Sequence, residues 1–116
     1  MEFKERRLFY RFPATLPFTL EFIGEPSMHL QSRTKNISGC GVLFTHSRPV
    51  PISTIVRLRL ALPVGDDLDL YGKVVRVEEM ESGRSYNIGV VFLSVSDTDI
   101  NSIELACRVA TVGSSE

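Results

Sequence analysis

Six consecutive residues, Asn36-Ile37-Ser38-Gly39-Cys40-Gly41, and three arginines near the N-terminus, Arg6, Arg7 and Arg11, carry the groups best suited to binding chemistry. Asn36 offers an amide that both donates and accepts, Ser38 a hydroxyl, and Gly41 a backbone with no Cβ to hold a ligand away. Such a surface suits the flat edge of a base. A guanidinium forks onto a phosphate, stacks on a base, or bonds in pairs to guanine O6 and N7. Taken singly, each feature has a plainer reading: Asn, Ser and Gly are the commonest turn residues, and a basic arm is commonly just solvated. The combination is what distinguishes the chain.

No catalytic constellation accompanies these groups. His29 and His46 are the only histidines, and neither stands at metal-ligand spacing from a cysteine, so both read as exposed polar residues and no metal site is expected. A hydrolase would need a Ser or Cys activated by a base, and no nucleophile elbow or acidic orienter lies near Ser38, Cys40 or His46 in the sequence. Cys40 and Cys107 have no CxxC spacing and follow no signal-peptide pattern, which fits free thiols in a reducing cytoplasm. Cys40 has two readings, a redox-sensitive thiol beside the candidate site or a small hydrophobe.

At 116 residues the chain is expected to form one domain with a real core. A net charge of -1 argues against coating nucleic acid through a general positive field, so an anion site must be local. No apolar run approaches the roughly 18 residues that span a bilayer, and membrane insertion is not expected.

The elements that must position the arginines and the hexapeptide are strands. Residues 1–13 are polar and charged with no hydrophobic period, and read as a flexible arm ahead of a folded unit of residues 14–116. Pro13 enforces extended geometry at Phe12, after which Leu16, Phe18, Leu20 and Phe22 alternate with Pro17, Thr19, Glu21 and Ile23 as a half-buried strand. Residues 28–35 read as a second strand with His29, Gln31, Arg33 and Lys35 outward, and the hexapeptide follows as a turn. Val42-Leu43-Phe44 restarts extended structure, and Val56, Leu58, Leu60 and Leu62 alternate against Ile55, Arg57, Arg59 and Ala61. The next strand, residues 68–77, slips its period near Val74-Val75, which predicts a bulge. Glu81-Ser82-Gly83-Arg84 turns into Tyr86, Ile88, Val90 and Phe92, with Gly89 making room for bulky neighbours. Six strands with antiparallel-type turns predict a small barrel or sandwich. Ser96, with Asp99 three residues on, caps a helix over about residues 97–110. Ile100, Ile103, Ala106, Cys107 and Ala110 share its buried face, and Leu105, Val109 and Val112 lie nearly opposite.

Arg7-x-x-x-Arg11 in the arm, together with Asn36-x-Ser38-x-x-Gly41 after the second strand, resembles the PilZ domain, whose motifs are RxxxR and [D/N]xSxxG. Gly72-Lys73-Val74-Val75-Arg76 and the run from Tyr86 to Phe92 look like later strands of that family, so the resemblance covers nearly the whole chain. It implies a mainly all-β fold, a six-stranded antiparallel barrel with a C-terminal helix, and a non-enzymatic receptor for the bacterial second messenger cyclic di-GMP. Carried over by position, Arg7 and Arg11 would hold phosphates and guanines, while Asn36, Ser38 and Gly41 would surround one guanine. Arg6, just before the motif, stands where the resemblance suggests control over whether one ligand or a stacked pair binds. Asn36 replaces the charged Asp of many members by a neutral acceptor, which the motif allows.

No cofactor besides the ligand is expected, and the lack of a targeting segment leaves the cytoplasm as the expected location. The resemblance also implies a protein effector reached in trans, in motility, biofilm or exopolysaccharide control. The competing class is a small barrel that binds single-stranded nucleic acid through Arg6, Arg7, Phe9, Tyr10, Arg11 and Phe12 as a stacking and charge-pairing strip. The net charge disfavours it.

Overall fold

Alternation along the chain builds the sheet. In β1 (Pro17–Phe22) Phe18 and Leu20 are buried while Pro17 and Thr19 face solvent, and β5 (Ile55–Leu60) repeats the pattern with Val56, Leu58 and Leu60 inside. The computed structural model describes residues 15–24, 29–63 and 65–114. Among them β2 (His29–Arg33), β3 (Asn36–Ser38), β4 (Gly41–His46), β6 (Leu68–Met80) and β7 (Ser85–Phe92) complete one antiparallel sheet in the order β2-β1-β5-β6-β7-β4-β3. The expected arm of residues 1–13 lies outside the described residues.

Seven strands stand where six are expected, and a bend is the reason. Thr34 N donates to Leu16 O at 2.9 Å, extending the β1–β2 ladder by one residue, and the next amide, Lys35 N, donates to Leu43 O at 2.7 Å. Residues 29–38 thus pass from one edge of the curled sheet to the other within a single peptide unit. The expected second strand is split at this bend, and its continuation, read from sequence as turn, pairs with β4 as β3.

The expected bulge is present: Val74 pairs with Val90, Arg76 with Gly89, and Val75 is the extra residue. β6 outruns its expected end at Val77 because Glu78, Glu79 and Met80 are all exposed. That part of the hairpin projects past the core and leaves no alternation to read. Its turn, Glu81–Gly83, keeps three successive positive φ values of 48°, 53° and 84°.

The inward side chains form one cluster in which the Phe18 and Phe44 rings meet edge to face, centroids 4.9 Å apart. α1 (Asp97–Ser114) adds Ile103, Ala106 and Cys107 to the buried set, while Leu105 and Val109 are exposed as the helical period requires. The side chains of Ala110 and Val112 are outside the described ones. The helix starts in a reciprocal cap: Asp99 N donates to Ser96 Oγ at 3.1 Å and Ser96 N to Asp99 Oδ2 at 3.4 Å. Ser96→Ala is expected to lower stability by about 1 kcal/mol, read in thermal unfolding as a midpoint lower by roughly 5 °C. Among the described residues no helix is long and apolar enough to cross a membrane.

Candidate functional site

The hexapeptide folds as a two-residue hairpin between β3 and β4. Ile37 pairs with Val42 on the inner face, and both are buried. Asn36, opposite Leu43, is half-buried on the other face, and Ser38, opposite Gly41, has no exposed surface. The Ser38 hydroxyl accepts the Cys40 N–H at 3.2 Å and lies 3.2 Å from Cys40 Sγ, so it closes the turn. Cys40 O in turn accepts Phe92 N at 2.8 Å, tying the hairpin to the end of β7.

Gly41 has a steric reason of its own. A Cβ there would stand 2.4 Å from Val90 O, so β4 approaches β7 at this level only without a side chain. The sequence reading assigns the missing Cβ to ligand approach, whereas the local packing already requires it. Ser38 and Gly41 are thus accounted for by the hairpin itself. Asn36 presents its amide to the outer surface.

The ladders set Asn36, Leu43, Gly89 and Arg76 in one row across β3, β4, β7 and β6. A groove of about 180 Å³ runs along this row, with Val91 also in its lining. Arg76 is exposed and pairs with Glu78 at 3.1 Å. The sequence places Arg76 only in a strand and gives it no site role, and the signal that points to one is the period slip at Val74-Val75, because a bulge re-aims the side chains that follow it.

The root of the N-terminal segment sits beside this hairpin. Leu16 N donates to Thr34 Oγ1 at 2.8 Å while Leu16 O accepts Thr34 N at 2.9 Å. Both bonds fasten the start of the barrel two residues from Asn36. Arg6, Arg7 and Arg11 themselves lie outside the described residues, so the structure brings together three of the six candidate positions.

Elsewhere the reactive side chains are quiet. Cys40 is exposed and Cys107 buried, and both are free thiols. Burial, with Glu104 adding to it, pushes the Cys107 thiol up to about 11, which leaves it neutral and unreactive near pH 7. His46 is held below the usual imidazole range by burial and by Arg48. Among the described residues no cluster of His, Cys, Asp or Glu is arranged to hold a metal ion.

A sequence profile of the PilZ domain matches residues 5–108. The chain belongs to the PilZ domain family. Solved structures agree on the PilZ fold. The Bacillus subtilis inhibitor of motility MotI/DgrA superposes with a TM-score of 0.75 at 15% identity, covering 93% of this chain and 52% of its own. The chain therefore spans about half the length of that protein. The PilZ domain of YcgR from Escherichia coli, solved with cyclic di-GMP, gives 0.72 at 15% identity, covering 96% of this chain and 98% of its own. The PilZ domain of CeSA from a cellulose-synthesizing bacterium gives 0.61 at 23% identity, covering 86% and 97%. A search of curated protein sequences finds no match. In this PilZ domain the [D/N]xSxxG motif is one hairpin, with its first position outward and its third and sixth committed to the turn and to β7.

Proposed function

We propose that this PilZ domain is a non-catalytic receptor for cyclic di-GMP that reports occupancy to a protein partner through a change of conformation. The observation that carries the reading is the double hydrogen bond between Leu16 and Thr34, which roots the arginine-bearing segment next to Asn36. An extended chain covers at most about 3.6 Å per residue, so the Arg11 Cα stays within about 18 Å of Leu16 and that of Arg7 within about 32 Å. Both motifs can therefore act on one ligand.

In this reading Arg7 and Arg11 hold phosphates and guanines, and Asn36 meets one guanine at a hairpin that Ser38 and Gly41 shape. Arg6 engages a second guanine when the ligand binds as a stacked pair. The signal is the closing of residues 1–11 over the hairpin. YcgR was solved with cyclic di-GMP, MotI/DgrA is an inhibitor of motility and CeSA comes from a cellulose-synthesizing bacterium. These neighbours support an effector in motility, biofilm or exopolysaccharide control, and the reading has the two meet in the cytoplasm.

Titration calorimetry on the full chain tests the reading, with cyclic di-GMP, cyclic di-AMP, GTP and a short single-stranded oligonucleotide in separate runs. Saturable heat with cyclic di-GMP, and none with the oligonucleotide, is expected. Binding of the oligonucleotide alone would replace the receptor reading by the nucleic-acid one.

A further inference from the structure

We infer that Arg76 is a further arginine of the ligand site, one that reads the acceptor edge of the guanine seated between it and Asn36. The inference rests on the cyclic di-GMP reading above. Its starting point is the bulge. Val75 is inserted between the paired positions Val74 and Arg76, so that Arg76 comes to stand opposite Gly89 on the outer face. There it ends the row that begins at Asn36.

Gly89 makes the space between them. A Cβ at that position would stand 3.2 Å from Arg76 Cβ and 3.9 Å from both Arg76 Cδ and Leu43 Cδ1, so the row between those two side chains has bare backbone where any side chain would crowd them. Leu43 and Val91 add apolar surface to the lining, which suits the face of a heterocycle. Its size is telling. At about 180 Å³ the groove is below the range of a whole-ligand pocket, roughly 300–1,000 Å³, so it takes only a part of the ligand.

The two ends of the groove differ in chemistry. Three strand spacings separate β3 from β6, about 14 Å, and a long guanidinium side chain at one end with a short amide at the other leaves a base between them. A guanidinium fork donates in parallel to guanine O6 and N7, whereas adenine presents an amino donor at position 6 and is refused. Arg76 is free to turn toward such a partner because its present one, Glu78, forms an exposed pair, and exposed pairs are weak. Glu78 then acts as a competitor for the guanidinium.

The test is calorimetry of the full chain with cyclic di-GMP and cyclic di-AMP, on the native protein and on Arg76→Ala, Arg76→Lys and Glu78→Gln, each checked by circular dichroism. Arg76→Ala is expected to weaken cyclic di-GMP binding about tenfold and to narrow the preference over cyclic di-AMP. Arg76→Lys should not restore it, because an ammonium cannot fork. Glu78→Gln should tighten binding a few-fold. Native binding with an unchanged Arg76→Ala affinity would overturn this inference and leave the receptor standing, and so would an Arg76→Lys protein that binds like the native one. A native protein silent toward cyclic di-GMP would overturn the receptor reading and this inference with it.

Discussion

Gly41→Ala should destabilise the domain by about 3 kcal/mol, the upper end of what overpacking usually costs, and should lose ligand binding only together with the fold. A single methyl group suffices, since the new Cβ would sit 2.4 Å from Val90 O, an atom of the backbone that cannot rotate away. Either β4 moves off β7 or the Gly41–Val91 end of their ladder opens, and with it goes the bond from Phe92 N to Cys40 O. Urea unfolding followed by circular dichroism measures the loss. An alanine variant that unfolds at the native midpoint but no longer binds would hand the position back to the ligand.

Arg7→Ala and Arg11→Ala are expected to behave in the opposite way, each weakening cyclic di-GMP binding tenfold or more while the unfolding midpoint stays put. A hydrogen bond to a charged group is worth on the order of 1.5–3 kcal/mol. Ser38→Ala falls between the two cases. It removes the acceptor for Cys40 N and loosens the hairpin, so modest losses in both stability and affinity are expected. Calorimetry paired with urea unfolding separates the three. Native affinity in the Arg7→Ala protein, with an intact spectrum, would defeat the assignment of the arm.

The strands were legible where one face is buried, because a period of two then records the inside of the sheet in the residue types. Phe18, Leu20, Val56, Leu58 and Leu60 are read correctly for this reason. The cap at Ser96 was legible because its chemistry is local, and the bulge because it breaks the period. The bend at Thr34-Lys35 was not. What it changes is the hydrogen-bond partner, from Leu16 to Leu43, and partner identity leaves no local trace in side-chain alternation.

The site was legible as a motif but not as physics. Serine and glycine in a loop suggest a hydroxyl and an open approach for a ligand, yet here the hydroxyl closes a turn and the glycine clears a carbonyl of β7. At those two positions the motif also serves the fold. The ligand reading therefore leans on Asn36, which the register sets in the outer row, and on the arginine motif of the sequence. Arg76 lies in plain view in the sequence, but only the register places it level with Asn36.

The bend between β2 and β3 also bears on solubility. An open sheet ends in two rows of unpaired amides and carbonyls, a template on which other chains add strands and from which aggregates grow. Among the described residues both edges of this sheet belong to one short stretch of chain, five residues of β2 and three of β3, and the amides at the join are already bonded to opposite ends of the sheet. By folding its two edges into consecutive parts of one segment, the domain turns its most exposed liability into a seam.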